Sequence, residues 1–265
     1  MISKLEITCP EDLGFLRPMI VEEVCRVGNR SDGGYVMSRK VIEKSAVLLS
    51  LGLGENWSFE KAFSEINEKA LIDIYDHTVS LHFFAIKLVK GIVKFLLFKE
   101  TFLNVLARVK RLKDYFLFWM MNSRNKHHQI RIDEASLSAA LSRYKNSDLI
   151  GLKVDIEGSE WDILNLIAVN QDRFQFLLIE IHDFEKHVEQ LRDFLRELSG
   201  NFVLAHLHAN NFETLGSNGF PKVFEITLLR SPSTSFSAGY RSELPIPNLD
   251  VPNAKNRPDF LIKFQ

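Results

Sequence analysis

Apolar residues follow two rhythms along the chain. Short runs rich in Val, Ile, Leu and Phe recur at 46–52 (AVLLSLG), 70–76 (ALIDIYD), 149–156 (LIGLKVDI), 174–182 (FQFLLIEIH), 201–209 (NFVLAHLHA) and 222–229 (KVFEITLL), with a weaker run at 129–133 (QIRID). The fourth and fifth in chain order, 149–156 and 174–182, are apolar almost throughout, as strands covered on both faces should be. Between the runs lie segments at helical spacing: 57–70, 136–146, 159–170 and 185–200. In the last of these, Val188, Leu191, Phe194, Leu195 and Leu198 share a face, and Gly200 supplies a stop. Strands alternating with helices predict an α/β fold, Rossmann-like, with a seven-stranded and mostly parallel sheet.

The 265 residues then read as one domain with three departures from simple alternation. Residues 1–45 precede the first buried strand and read as an N-terminal flap. The tail, 231–265, is rich in Ser, Pro and Asn and reads as an extended wrap. Residues 81–128 are mostly helical by pattern and strongly basic. There Lys87, Lys90, Lys94, Lys99, Arg108, Lys110, Arg111, Lys113, Arg124 and Lys126 are opposed only by Glu100 and Asp114, a local charge of +8. Such an insertion reads as a lid over a site, as helices whose lysines snorkel from a packed face, or as a foot on an anionic membrane.

Global charge changes little, since a net charge of −1 and a pI near 6.7 create no field to recruit nucleic acid. Cys9 and Cys25 have no metal-ligand spacing and suggest no disulfide framework, which fits a reducing, cytoplasmic compartment. The N-terminus lacks the pattern of a secretory signal. Lysines interrupt the greasy stretch 81–98, so no transmembrane span is expected.

Two stretches carry candidate chemistry. SLGLGENWSFE (50–60) joins a strand to a helix, where Gly52 and Gly54 allow a sharp turn and a close approach of backbone to ligand. Asp76 ends the next strand, where doubly wound folds place an acid on a ribose diol. An ordinary turn with Asp76 as a helix cap is the plainer alternative. A dinucleotide fingerprint needs a third glycine where Trp57 stands, which favours a smaller adenosine ligand such as S-adenosylmethionine over NAD. The second stretch, LKVDIEGSEWDIL (152–164), sets Asp155, Glu157 and Glu160 at the end of a buried strand. Asp155 and Glu157 should face a wet cleft, because lone buried carboxylates are costly. Glu160 suits a first helical turn.

LKVDIEGSEWDIL resembles the LKxDxEGxExxxL signature of FkbM-type methyltransferases, members of the class I, S-adenosylmethionine-dependent superfamily. The resemblance takes in GNRSDGGYVM (28–37), SLGLGENWSFE, IYDHT (74–78), LLIEIHDF (177–184), HLHANNF (206–212) and the final LDVPN. It implies that Gly52 and Gly54 line the cofactor, that Asp76, with His77 beside it, binds the ribose hydroxyls, and that Asp155 and Glu157 sit beside the methyl-transfer centre. Many members carry an acid two residues before the first loop glycine, where this chain has Ser50. Contact to the cofactor's amino group then falls to Ser50 or Glu55. Asp32 and Tyr35 belong to an element that covers the site or, equally, to a turn between two strands.

Methyl transfer to oxygen needs in-line alignment and a proton acceptor. His182, His208 and Asp155 are the candidate bases, with His182 preferred for its place beside Asp155 and a histidine's useful titration range. His206, Asn210 and Asn211 suit sugar hydroxyls, or form a turn. Asp155, His182 and Asp183 offer oxygen and nitrogen to a divalent cation, though nothing demands one. The expectation is an O-methyltransferase acting on a hydroxyl of a sugar, glycan or related metabolite. An inactive S-adenosylmethionine- or glycan-binding module, or an NAD-binding enzyme, are the alternatives.

Overall fold

A computed structural model describes residues 4–145, 149–231 and 235–265. Its centre is a seven-stranded sheet: β1 (Val47–Leu51), β2 (Leu71–Tyr75), β3 (Asn125–His128), β4 (Ile150–Val154), β5 (Phe174–Ile181), β6 (Phe202–Ala209) and β7 (Phe224–Arg230). The spatial order is β6-β7-β5-β4-β1-β2-β3, parallel except for β7, which runs antiparallel to both neighbours. Every residue of β1, β4 and β5 is buried, which explains their unbroken apolar runs. Gly151 in β4 has a packing reason, because a Cβ there would lie 2.2 Å from the ring of Phe176 on β5.

Besides a short helix at Arg39–Lys44, before β1, the α-helices among the described residues are α1 (Ser58–Ile66), α2 (Leu81–Leu96), α3 (Phe102–Tyr115), α4 (Glu134–Leu141), α5 (Leu164–Val169) and α6 (Val188–Leu198). Strand alternation divides the core in two. Val47, Leu49 and Leu51 of β1 face a cluster with Leu137, Ile167 and Leu191. Leu48 faces another cluster with Phe59, Phe63 and Tyr115.

The third strand is not QIRID but Asn125–His128, four residues earlier. Among the described residues it is an edge strand paired only with β2, and no apolar run marks it. Residues 129–133 instead run in coil to α4, where Asp133 closes a capping box with Ser136. The helical insertion accordingly ends at a π-helical turn, Phe116–Met120, before β3. The tail also holds more regular structure than a simple wrap. Asp259–Lys263 pairs in parallel with Lys4–Thr8 and antiparallel with Glu243–Leu244, and Phe236–Tyr240 pairs with Met19–Val21. The expected helix 136–146 ends at Leu141, and its last residue lies outside the described residues.

Candidate active site

The sheet reverses its order between β1 and β4, the place where open α/β sheets keep ligands beyond their carboxyl edges. Backbone bonds extend past the strands there. Gly52 N donates to Tyr75 O (2.9 Å), Asp76 N to His128 O (3.0 Å) and Asp155 N to Leu51 O (2.8 Å), so Gly52, Asp76 and Asp155 stand side by side. All three line one cavity of about 740 Å³, with Gly54, Glu55, His77, Glu157 and His182. Gly52 has φ 87°, and a Cβ on it would lie 1.7 Å from the Asp155 carbonyl oxygen, so the glycine lets the β1 loop close against β4.

Asp76 is buried and holds the glycine turn. One carboxylate oxygen accepts from Leu53 N (2.8 Å) and Gly54 N (2.9 Å), the other from Thr78 N and Thr78 Oγ1 (2.6 Å each). Burial pushes its pKa up, but the bonds from Thr78, Gly54 and Leu53 outweigh this and hold it below the usual carboxylate range. His127 contacts the Asp76 carbonyl through Nε2 (2.9 Å) and Tyr115 through Nδ1, tying the helical insertion to the turn.

Across the cavity, Glu160 is fully buried within a 3₁₀ turn, Glu160–Asp162. One oxygen accepts from Gly158 N (2.8 Å), the other from His182 N (2.7 Å) and lies 3.1 Å from His182 Nδ1. This assigns the ring proton to Nδ1 and leaves Nε2 with its lone pair, 3.5 Å from Glu157. Burial lowers the His182 pKa, yet the Glu160 bond and charge, with Asp155 and Glu157, leave it raised above its ordinary value. Glu160 does lie in a first helical turn, and its bonds to Gly158 and His182 make it a positioning carboxylate as well.

Behind Asp155 lies Glu180, which accepts from Asn210 Nδ2 (2.8 Å). Burial, then the charges of Asp155 and Glu225, push its carboxyl well up. Lys153 Nζ reaches Gly52 O and the buried Glu60, each at 3.3 Å. Asp155, Glu157 and His182 bring ligand atoms within 4.8 Å of one another, a spacing that suits a divalent cation. Asp183, expected in such a set, binds Lys186 Nζ (2.9 Å) instead.

Residues 98–202, from the tip of the helical insertion to the first residue of β6, match the family model "Methyltransferase FkbM domain". That stretch is similar to FkbM-type methyltransferase domains. No curated protein matches the chain. Among solved structures it resembles an O-methyltransferase from Bacillus cereus in complex with SAH (10% identity, 72% of this chain and 76% of that one, TM-score 0.39). Human methyltransferase-like protein 13 in complex with SAH is similar at 14% identity (73% and 78% covered, TM-score 0.39). A fibrillarin pre-rRNA processing protein of Methanococcus jannaschii follows at 10% identity (71% and 68% covered, TM-score 0.39).

Several residues expected in the site lie outside the cavity. Ser50 is buried and donates to Glu60 (2.8 Å), because alternation turns it toward α1. His206 binds Asp250 of the tail (2.9 Å), an acid held at a pKa of about 2 because His206 outweighs the effect of burial. Asn211 likewise bonds both ways with Ala254. The HLHANN and LDVPN elements are therefore clamped to each other. His208 is buried beside Glu225 with neither ring nitrogen hydrogen-bonded, and burial lowers its pKa to about 4.

Asp32 and Tyr35 do reach the cavity, at the end of an antiparallel hairpin, Val24–Gly28 with Gly34–Ser38. The turn between two strands and the site element are one feature. Trp57 packs edge-on against Phe84 and Tyr115 of the insertion, which explains a bulky residue where a third glycine would stand. Ile130, Arg131 and Ile132, in the run misread as a strand, form a wall of the cavity.

Proposed function

We propose that the protein is an S-adenosylmethionine-dependent O-methyltransferase acting on a hydroxyl of a sugar, glycan or related metabolite. The observation that carries this reading is the Glu160–His182 pair opening on the same cavity as the glycine turn and Asp155. The cavity's size falls in the range of small-molecule sites, about 300–1,000 Å³. The acids Asp155 and Glu157 on its wall suit a cationic sulfonium.

Gly52 and Gly54 would bring backbone against the ligand, with Ile130 and Ile132 flanking the adenine. Asp76 already accepts four donors, which fills a carboxylate's lone pairs. It meets the ribose by exchanging the Thr78 hydroxyl for a ribose hydroxyl. Bound there, the cofactor supplies an electrophilic methyl carbon. His182 Nε2 would take the acceptor hydroxyl's proton as that oxygen displaces sulfur from the methyl carbon, leaving a neutral thioether, and Glu160 would stabilise the resulting imidazolium. Asp32, Asn210 and Glu213 offer polar contacts for a hydroxyl-rich acceptor. The free thiols Cys9 and Cys25 suit a cytoplasmic setting.

His182→Ala tests the reading. Turnover should fall about 10²–10⁴-fold, the usual worth of a general base, with cofactor affinity retained. Unchanged turnover removes His182 from the chemistry.

A further inference from the structure

Among the described residues, most of the exposed large apolar side chains lie on α2, α3 and their connection. Val93, Leu96, Leu97, Phe102 and Leu103 face solvent, and Phe98, at the turn between the helices with φ 57°, is 97% exposed. Trp57, Phe84 and Tyr115 fix the root of this hairpin to the domain, so its far end is what stands free. Exposed lysines 90, 94, 99 and 110 are interleaved with the apolar groups. The hairpin's two acids are already neutralised, Glu100 by Arg108 (2.6 Å) and Asp114 by Lys61.

We propose that this hairpin is a foot that seats its tip in the interface of an anionic lipid bilayer, with Leu97 and Phe98 entering first and the lysines meeting lipid headgroups. Three observations choose this occupant. A second copy of the chain would bring one basic face against another. The apolar groups occupy both helices and the turn rather than one seam, so a bilayer covers them where a single protein groove does not. Long lysine stems allow the charges to stay at headgroup level while the tip is buried. No helix among the described residues is long and apolar enough to cross a membrane, which leaves the foot lying on the surface. Lys87 pairs with Glu55 at the cavity rim, so the foot is joined to the methyltransferase site, but its docking does not depend on the reaction assigned there.

Flotation of the full-length protein tests this with vesicles of phosphatidylcholine alone and vesicles containing about one-third phosphatidylserine. The protein should float with the anionic vesicles only, and added salt should release it. Lys94→Glu with Lys99→Glu should reduce partition at least fivefold per charge, since each cation near an anionic surface is worth roughly that factor. Leu97→Ser with Phe98→Ser should abolish flotation while the circular dichroism melt stays unchanged, because both side chains are exposed. No flotation of the wild type, equal flotation on both vesicles, or indifference to both variants overturns the proposal. Wild type that stays unbound and sediments as an oligomer assigns the surface to self-association instead.

Discussion

Glu160→Gln changes one atom and tests the most consequential contact in the site. The amide keeps the shape, and its best orientation leaves the oxygen facing His182 N and Nδ1. The NH₂ group then meets Gly158 N–H, a donor against a donor where the carboxylate accepted at 2.8 Å. An unsatisfied buried donor costs about 1–3 kcal/mol. At about 2–4 °C per kcal/mol for a domain of this class, the melting temperature should fall by roughly 2–12 °C.

The charge lost also matters to His182. Its pKa is raised in the folded protein because Glu160 overcomes burial, so the pair's stability is fully present below the ordinary histidine pKa and disappears as pH rises through the folded value. The variant should therefore be more destabilised at pH 6 than at pH 9, and NMR titration of the His182 ring should show its pKa shifted down. The acid limb of the methylation rate should move the same way. A His182 pKa that stays put, or a destabilisation independent of pH, refutes the pairing.

Asp76→Ala should be more than a binding defect. It strips acceptors from Leu53, Gly54 and Thr78, so thermal melting should report a loss of about 2–4 kcal/mol together with weakened cofactor affinity by calorimetry. Wild-type stability would contradict its role in holding the turn. His208 is neutral in the fold, with its pKa depressed to about 4, so its contribution fades as pH falls from 6.5 toward 4. Glu180 and Glu225, both raised by burial, act in the opposite sense over the acid range. The stability gap between wild type and His208→Gln should therefore narrow by about 2–3 kcal/mol between pH 7 and 4.5, and a constant gap by urea unfolding would refute this.

The fold was largely legible because buried strands leave apolar runs, nearly unbroken in β4 and β5, and six of the seven strands fall on such runs. The edge strand NKHH has no such signature, and the apolar alternation of QIRID belongs to a cavity wall. Glycine turn, Asp76, Asp155 and His182 converge because each sits just past a strand of the same sheet, a regularity that sequence order captures. Glu160 was harder. Its partner lies 22 residues away, and burial on that scale is a tertiary fact. The same applies to His206, whose polar environment is supplied by Asp250, 44 residues along the chain. Strand alternation separates two faces of β6 but does not say which one the tail will cover.

A structure with S-adenosylhomocysteine bound tests the central claim most directly. The account predicts density spanning Gly52, Asp76 and Asp155, ribose in contact with Asp76 and displacing the Thr78 hydroxyl, and the sulfur directed toward the space before His182 Nε2. A ligand bound elsewhere, or seated with its sulfur turned away from His182, would contradict it.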